Sequence, residues 1–171
     1  NLALELALLA EDYGLGFSRF ASLGNQADLE AGELVTSLID HEPTRVIALY
    51  CEDFRDGRAF AGAAQNAVEA GKPVILLTVG AGEVSAQAAR SHTGALVSSE
   101  TAVEAACRAS GMERVRSPRE LIDLAQAELA RVRPRGRRVV IVGDGGGHGI
   151  IASDVATAEG LELPPLSDEL Q

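Results

Sequence analysis

The run Ala89-Arg90-Ser91-His92-Thr93-Gly94-Ala95 holds the residues best suited to chemistry. Imidazole titrates near neutral pH, so His92 can offer an unprotonated nitrogen as a nucleophile. Its neighbours are small or carry hydroxyls. Ser91, Thr93 and Gly94 leave room for close approach and supply hydroxyl and amide donors. That setting suits an imidazole meeting a phosphoryl group. A lone histidine in a loop is usually only a loop residue, so its surroundings decide.

Two strand-like segments precede this run. Arg45-Val46-Ile47-Ala48-Leu49-Tyr50 reads as a buried strand, with Glu52 just beyond its carboxyl end. Lys72-Pro73-Val74-Ile75-Leu76-Leu77-Thr78 reads as the next strand, followed by the turn Val79-Gly80-Ala81-Gly82. In open parallel sheets, ligands collect beyond the carboxyl ends of the strands. A carboxylate there can hold one imidazole nitrogen as N–H and leave the other free to attack phosphorus. Glu52 is the candidate for that role. A solvated loop acid beside Asp53 is the competing reading.

The residues resemble those of a known family, in family order. They are Gly16-Phe17-Ser18, Ser22-Leu23-Gly24-Asn25-Gln26-Ala27-Asp28, Thr44-Arg45-Val46-Ile47-Ala48-Leu49-Tyr50-Cys51-Glu52, Asp56-Gly57-Arg58-Ala59-Phe60, Lys72-Pro73-Val74 and Ser91-His92-Thr93-Gly94-Ala95-Leu96. The set resembles the phosphohistidine domain of nucleoside-diphosphate-forming acyl-CoA synthetases. These are relatives of the succinyl-CoA synthetase alpha subunit. The resemblance implies that His92 carries a phosphoryl group and that Glu52 steadies its imidazole. It implies ligand contacts at Gly24, Asn25, Ser91, Thr93 and Gly94. It also implies the interconversion of acyl-CoA, ADP and phosphate with carboxylate, CoA and ATP. CoA, ATP/ADP and Mg are the implied cofactors. Nucleotide and Mg would sit mainly on an ATP-grasp domain or subunit, and a CoA-binding domain would share the full-length chain. The chain departs from the family pattern at Thr78, where Lys is frequent. It departs again at Asp144-Gly145-Gly146-Gly147-His148-Gly149, where Asn-Gly-Gly-Gly-Pro-Gly is usual.

Two readings from other classes stand beside this one. The first is a non-catalytic acyl-CoA-sensing region of a protein acetyltransferase fusion. The second is an assembly scaffold for an ATP-grasp partner.

Composition bounds the rest. The 171 residues are 46% hydrophobic and carry a net charge of −10. The acidic balance argues against nonspecific binding to nucleic acid or anionic membranes. Acids dominate the first sixty residues, whereas bases dominate 111–140. The basic run Arg131-Val132-Arg133-Pro134-Arg135-Gly136-Arg137-Arg138 lacks interleaved aromatics and is broken by Pro and Gly, so a solvated linker is expected. Cys51 and Cys107 show no metal-type spacing; buried free thiols in a reducing cytoplasm are expected. The sequence shows no signal peptide and no apolar run of membrane-spanning length. A homo-oligomer is left open.

Strand and helix signals alternate along the chain. The expected fold is a three-layer α/β/α doubly wound parallel sheet, flavodoxin-like, with the beginning of a second such subdomain. The domain reading assigns 1–132 to the phosphohistidine-bearing CoA-ligase domain, its first strand missing. It assigns 133–171 to a linker and the incomplete start of the second subdomain. A helix is expected from Asn1 to Tyr13 and a strand from Phe17 to Ser22. Asp28 is expected to cap a helix over Leu29–His41, and His41 to cap that helix's last carbonyls. Further helices are expected over Gly57–Ala70, Thr101–Ser110 and from Ser117 to about Val132. A final strand over Arg137–Gly143 is expected to lead through the glycine turn into a helix over Ile150–Glu159. His148 is read as an exposed turn residue, and Asp144 and Asp154 as capping residues.

Overall fold

The computed structural model describes residues 2–79, 99–130 and 132–167. The chain divides into two compact units, Asn1–Ala130 and Arg131–Gln171.

In the first unit the described elements are α1 (Leu2–Asp12), α2 (Ala31–Ile39), β1 (Ile47–Cys51), α3 (Gly57–Glu69), β2 (Val74–Thr78), α4 (Glu100–Ser110), β3 (Glu113–Val115) and α5 (Pro118–Leu129). The strands form a parallel sheet in the order β1-β2-β3. β2 is the central strand among the described residues and is apolar at four successive positions, Val74 to Leu77, all buried. A strand covered on both faces must be apolar on both, which accounts for the continuous run.

The two faces of β2 separate two cores. Val74 and Leu76 join Val35 of α2, Phe60 and Ala64 of α3, and Val103 and Cys107 of α4. Ile75 and Leu77 join Val115 of β3, Leu121 and Ala125 of α5, with Leu6 of α1 packed alongside. Helices therefore cover both sides, as the three-layer reading expected. Gly32 lets α2 approach α3 closely: a Cβ there would lie 3.3 Å from the Phe60 Cα.

Helix boundaries follow local capping chemistry. The Asp56 carboxylate accepts from the Arg58 and Ala59 amides and starts α3. The Ser117 hydroxyl accepts from the Glu120 amide and Pro118 opens α5, as the sequence indicated. α4 stops at Gly111, which adopts the left-handed conformation at φ +73°.

Several expectations are corrected. Phe17–Ser22 joins no ladder, because a strand requires a hydrogen-bonding neighbour and propensity supplies none. Its two phenylalanines instead stack edge to face, with ring centroids 5.6 Å apart. α2 is capped by Glu30, not Asp28, through a reciprocal box with Glu33. Its last carbonyls are held by Lys72, not by the His41 ring. The Lys72 ammonium donates to the Leu38 and His41 carbonyls, each at 2.7 Å. The His41 ring instead meets the Thr44 hydroxyl at 2.8 Å.

The second unit holds α6 (Gly146–Ala158) and a parallel bridge between Arg138 and Glu162. Arg137–Gly143 is therefore not a strand: one bridge is not a ladder, and Val142 is 90% exposed. α6 begins at Gly146, earlier than expected, so His148 lies inside the helix. The N-cap is Gly145 without a side-chain cap, so Asp144 does not cap, and Asp154 sits mid-helix. Arg137 is more than a linker residue. Its guanidinium donates to the Glu159 and Gly160 carbonyls at 2.7 and 2.8 Å and closes the end of α6. Among the described residues no helix is long and apolar enough to cross a membrane.

Candidate active site

Glu52 follows directly on β1, whose last residue, Cys51, is in register with Thr78, the last residue of β2. The carboxyl ends of both strands thus lie side by side, where parallel sheets gather ligands. Glu52 is half-buried. Its Oε1 accepts a 2.5 Å hydrogen bond from the Tyr50 hydroxyl. Burial of the ring, reinforced by the Glu52 carboxylate, pushes the Tyr50 pKa well above the ordinary phenol value. Tyr50 is therefore a fixed donor at neutral pH.

The backbone beyond Glu52 is held from several directions. The Cys51 thiol donates to the Asp53 carbonyl at 3.1 Å. Burial raises this thiol to about 11, so it stays protonated. The Asp53 carboxylate accepts from the Arg55 amide at 2.9 Å, with Arg55 in the left-handed region at φ +52°. Asp56 then starts α3. Each of these bonds limits how far the Glu52 loop can shift.

Gly24 and Asn25 are exposed in the loop before α2, and a Cβ on Gly24 would meet nothing within 4 Å. The next residue, Gln26, ties that loop to the Glu52 loop. Its amide nitrogen donates to the Asp53 carbonyl at 2.8 Å, and its carbonyl oxygen accepts from the Ala31 amide at 3.0 Å. Gln26 itself is left-handed at φ +50°. Such a conformation is costly for a residue with a Cβ, and the two hydrogen bonds hold it there. The structure thus brings the Gly24-Asn25 turn beside the loop that carries Glu52. Ser91, His92, Thr93 and Gly94 lie outside the described residues.

Sequence reasoning gave no role to Gln26 or Tyr50. Gln26 lies within Ser22–Asp28, and its bond to a carbonyl 27 positions away has no local signal. Tyr50 carried a faint one. Alternation places residues two apart on one side of an extended chain, which puts Tyr50 and Glu52 together.

Among the described residues no cluster of three metal-ligating side chains occurs. An open groove along α4 and β3, lined by Glu104, Arg108, Arg114 and Arg116, does not include Glu52. Its Arg114 is matched by Glu100 and Glu104, each at 2.8 Å.

The family described as the succinyl-CoA ligase like flavodoxin domain matches residues 1–128. The acetate–CoA ligase [ADP-forming] I subunit alpha of Pyrococcus furiosus is 40% identical over 157 residues, covering 92% of this chain and 34% of that protein. The 4-hydroxybutyrate–CoA ligase [ADP-forming] of Nitrosopumilus maritimus is 36% identical over 165 residues, covering 94% of this chain and 24% of that protein. The dinucleotide forming acetyl-coenzyme A synthetase 1 of Ca. Korarchaeum cryptofilum, solved with phosphate and ADP, superposes with a TM-score of 0.82. It is 32% identical and covers 96% of this chain and 36% of that one. The chain spans about a third of the length of the first two subunits it matches. A parallel sheet covered on both faces and a family match across nearly the whole first unit lead to one conclusion: the chain belongs to the succinyl-CoA ligase like flavodoxin domain family.

Proposed function

We propose that the chain is the phosphohistidine-bearing part of an ADP-forming acyl-CoA synthetase. The reaction is acyl-CoA, ADP and phosphate in exchange for carboxylate, CoA and ATP. The observation that carries the reading is the placement of Glu52, at the joined carboxyl ends of β1 and β2, in a chain 40% identical to an ADP-forming acetate–CoA ligase subunit.

Three displacements make up the reaction. A phosphate oxygen attacks the thioester carbonyl, and the carbon–sulfur bond breaks to release CoA. An unprotonated nitrogen of His92 attacks the phosphorus of the acyl phosphate, and the carboxylate leaves with the oxygen. A terminal oxygen of ADP then attacks that phosphorus, the phosphorus–nitrogen bond breaks, and ATP forms. Glu52 contributes twice. It accepts the N–H of the second imidazole nitrogen, which orients the ring, and its charge stabilises the cationic ring that forms.

Gly24, Asn25, Ser91, Thr93 and Gly94 are assigned to contacts with phosphate or CoA. Small residues and backbone amides suit anionic oxygens. The nucleotide and its Mg²⁺ are assigned to an ATP-grasp partner, and the rest of the CoA site to a CoA-binding domain of the longer protein. A cytoplasmic setting fits Cys51 and Cys107, both free and buried.

The test is ATP formation by the longer parent protein supplied with an acyl-CoA, ADP and phosphate. ATP that appears in step with free CoA supports the reading. Acyl-CoA binding without ATP formation contradicts it and favours the sensor.

A further inference from the structure

We infer that Gln26 is a positioning residue for substrate: its side chain holds the Gly24-Asn25 turn in the shape that meets the anionic oxygens of phosphate or of CoA. The inference rests on the assignment of Gly24 and Asn25 proposed above.

Gln26 follows the turn directly and is half-buried. At φ +50° its backbone is left-handed, a conformation that costs a residue with a Cβ. The side chain supplies what holds it there. Its amide nitrogen donates to the Asp53 carbonyl at 2.8 Å, and its carbonyl oxygen accepts from the Ala31 amide at 3.0 Å. Both anchors are themselves fixed. The Asp53 carbonyl also accepts from the thiol of Cys51, buried at the end of β1, and Ala31 is the buried first residue of α2. The turn is thus tied to the core on two sides. The bridge needs a donor and an acceptor on one tip at this reach; a glutamate lacks the donor and a lysine lacks the acceptor. Left-handed and turn backbone brings successive amides to one side, where they bind anionic oxygens. A turn held in that shape before binding loses little freedom when the ligand arrives. Its loosening therefore weakens affinity rather than the chemical step.

The experiment is steady-state ATP formation by the longer parent protein, with phosphate, acyl-CoA and ADP each varied while the other two saturate. The unsubstituted protein is compared with Gln26→Met, Gln26→Asn and Gly24→Val. The methionine matches the glutamine in length without the polar tip. The asparagine suits a left-handed backbone but falls one methylene short of the bridge. Both Gln26 variants are expected to raise KM for phosphate or for acyl-CoA about fivefold, the effect of losing one hydrogen bond, and to leave KM for ADP unchanged. Whichever of the two rises identifies the source of the oxygens. Partial unfolding lowers kcat alone, because the folded fraction keeps its affinities. Raised KM in Gly24→Val with all three KMs unchanged in the Gln26 variants, whether or not kcat drops, overturns the role of Gln26 alone. An equal rise in all three KMs also overturns it. Raised KM in Gln26→Met with Gln26→Asn unchanged overturns the bridge in favour of the backbone conformation. Gly24→Val with unchanged KMs, or no ATP from the unsubstituted protein, overturns the assignment beneath it and this inference together.

Discussion

Gln26 bridges two loops: its side-chain amide donates to the Asp53 carbonyl and accepts from the Ala31 amide. One residue therefore sets the distance between the Gly24-Asn25 turn and the Glu52 loop, and also satisfies an amide at the start of α2. Removal of both bonds in Gln26→Ala is expected to destabilise the chain by about 2 kcal/mol, at roughly 1 kcal/mol per hydrogen bond. Urea unfolding of the two proteins measures it. A midpoint unchanged by the substitution would show that the bridge carries no net stability.

Lys72 acts at long range on α2. Its ammonium sits on the Leu38 and His41 carbonyls, at the negative end of the helix. Lys72→Met keeps the aliphatic stem and removes both donors. A loss of about 2 kcal/mol is expected. Amide exchange should quicken in the last turn of α2 before it quickens in β2, and uniform quickening across both elements would argue against a local cap.

Cys51 makes stability depend on alkaline pH. Its thiol is raised from 9.0 to about 11 in the folded chain, chiefly by burial. Above pH 9 the unfolded thiol loses its proton while the folded one keeps it, so the unfolded state is favoured as pH rises. The stabilisation is intact below pH 9 and is lost between about 9 and 11, on the order of 2 kcal/mol. Unfolding at pH 8 and pH 10.5 should therefore differ more in the natural chain than in Cys51→Ala. Equal pH dependence in both would show that the thiol is not the source.

Where local chemistry decides, the sequence was legible. The apolar run Val74–Leu77 announced a strand, Ser117-Pro118-Arg119-Glu120 announced the start of α5, and Gly111 announced the end of α4. Elements that depend on a distant partner were not. Phe17–Ser22 and Arg137–Gly143 have strand-like residues, but a ladder is a property of two segments. The end of α2 was assigned to the nearby His41, whereas the cap comes from Lys72, over thirty positions away. In the candidate site the same division holds. The position of Glu52 beyond a strand end was legible, because the strand itself was. Gln26 was not, because its partner is remote. The bond from Tyr50 to Glu52 was not, because it shows only in the side-chain geometry.

The measurement that bears most directly on the account is phosphoryl labelling of the longer parent protein with γ-labelled ATP and Mg²⁺, natural sequence against His92→Ala. The account predicts an acid-labile, base-stable label on the natural protein, discharged by ADP or by CoA with a carboxylic acid, and absent from His92→Ala. A label that persists in His92→Ala, or no label on either protein while acyl-CoA still binds, would contradict it.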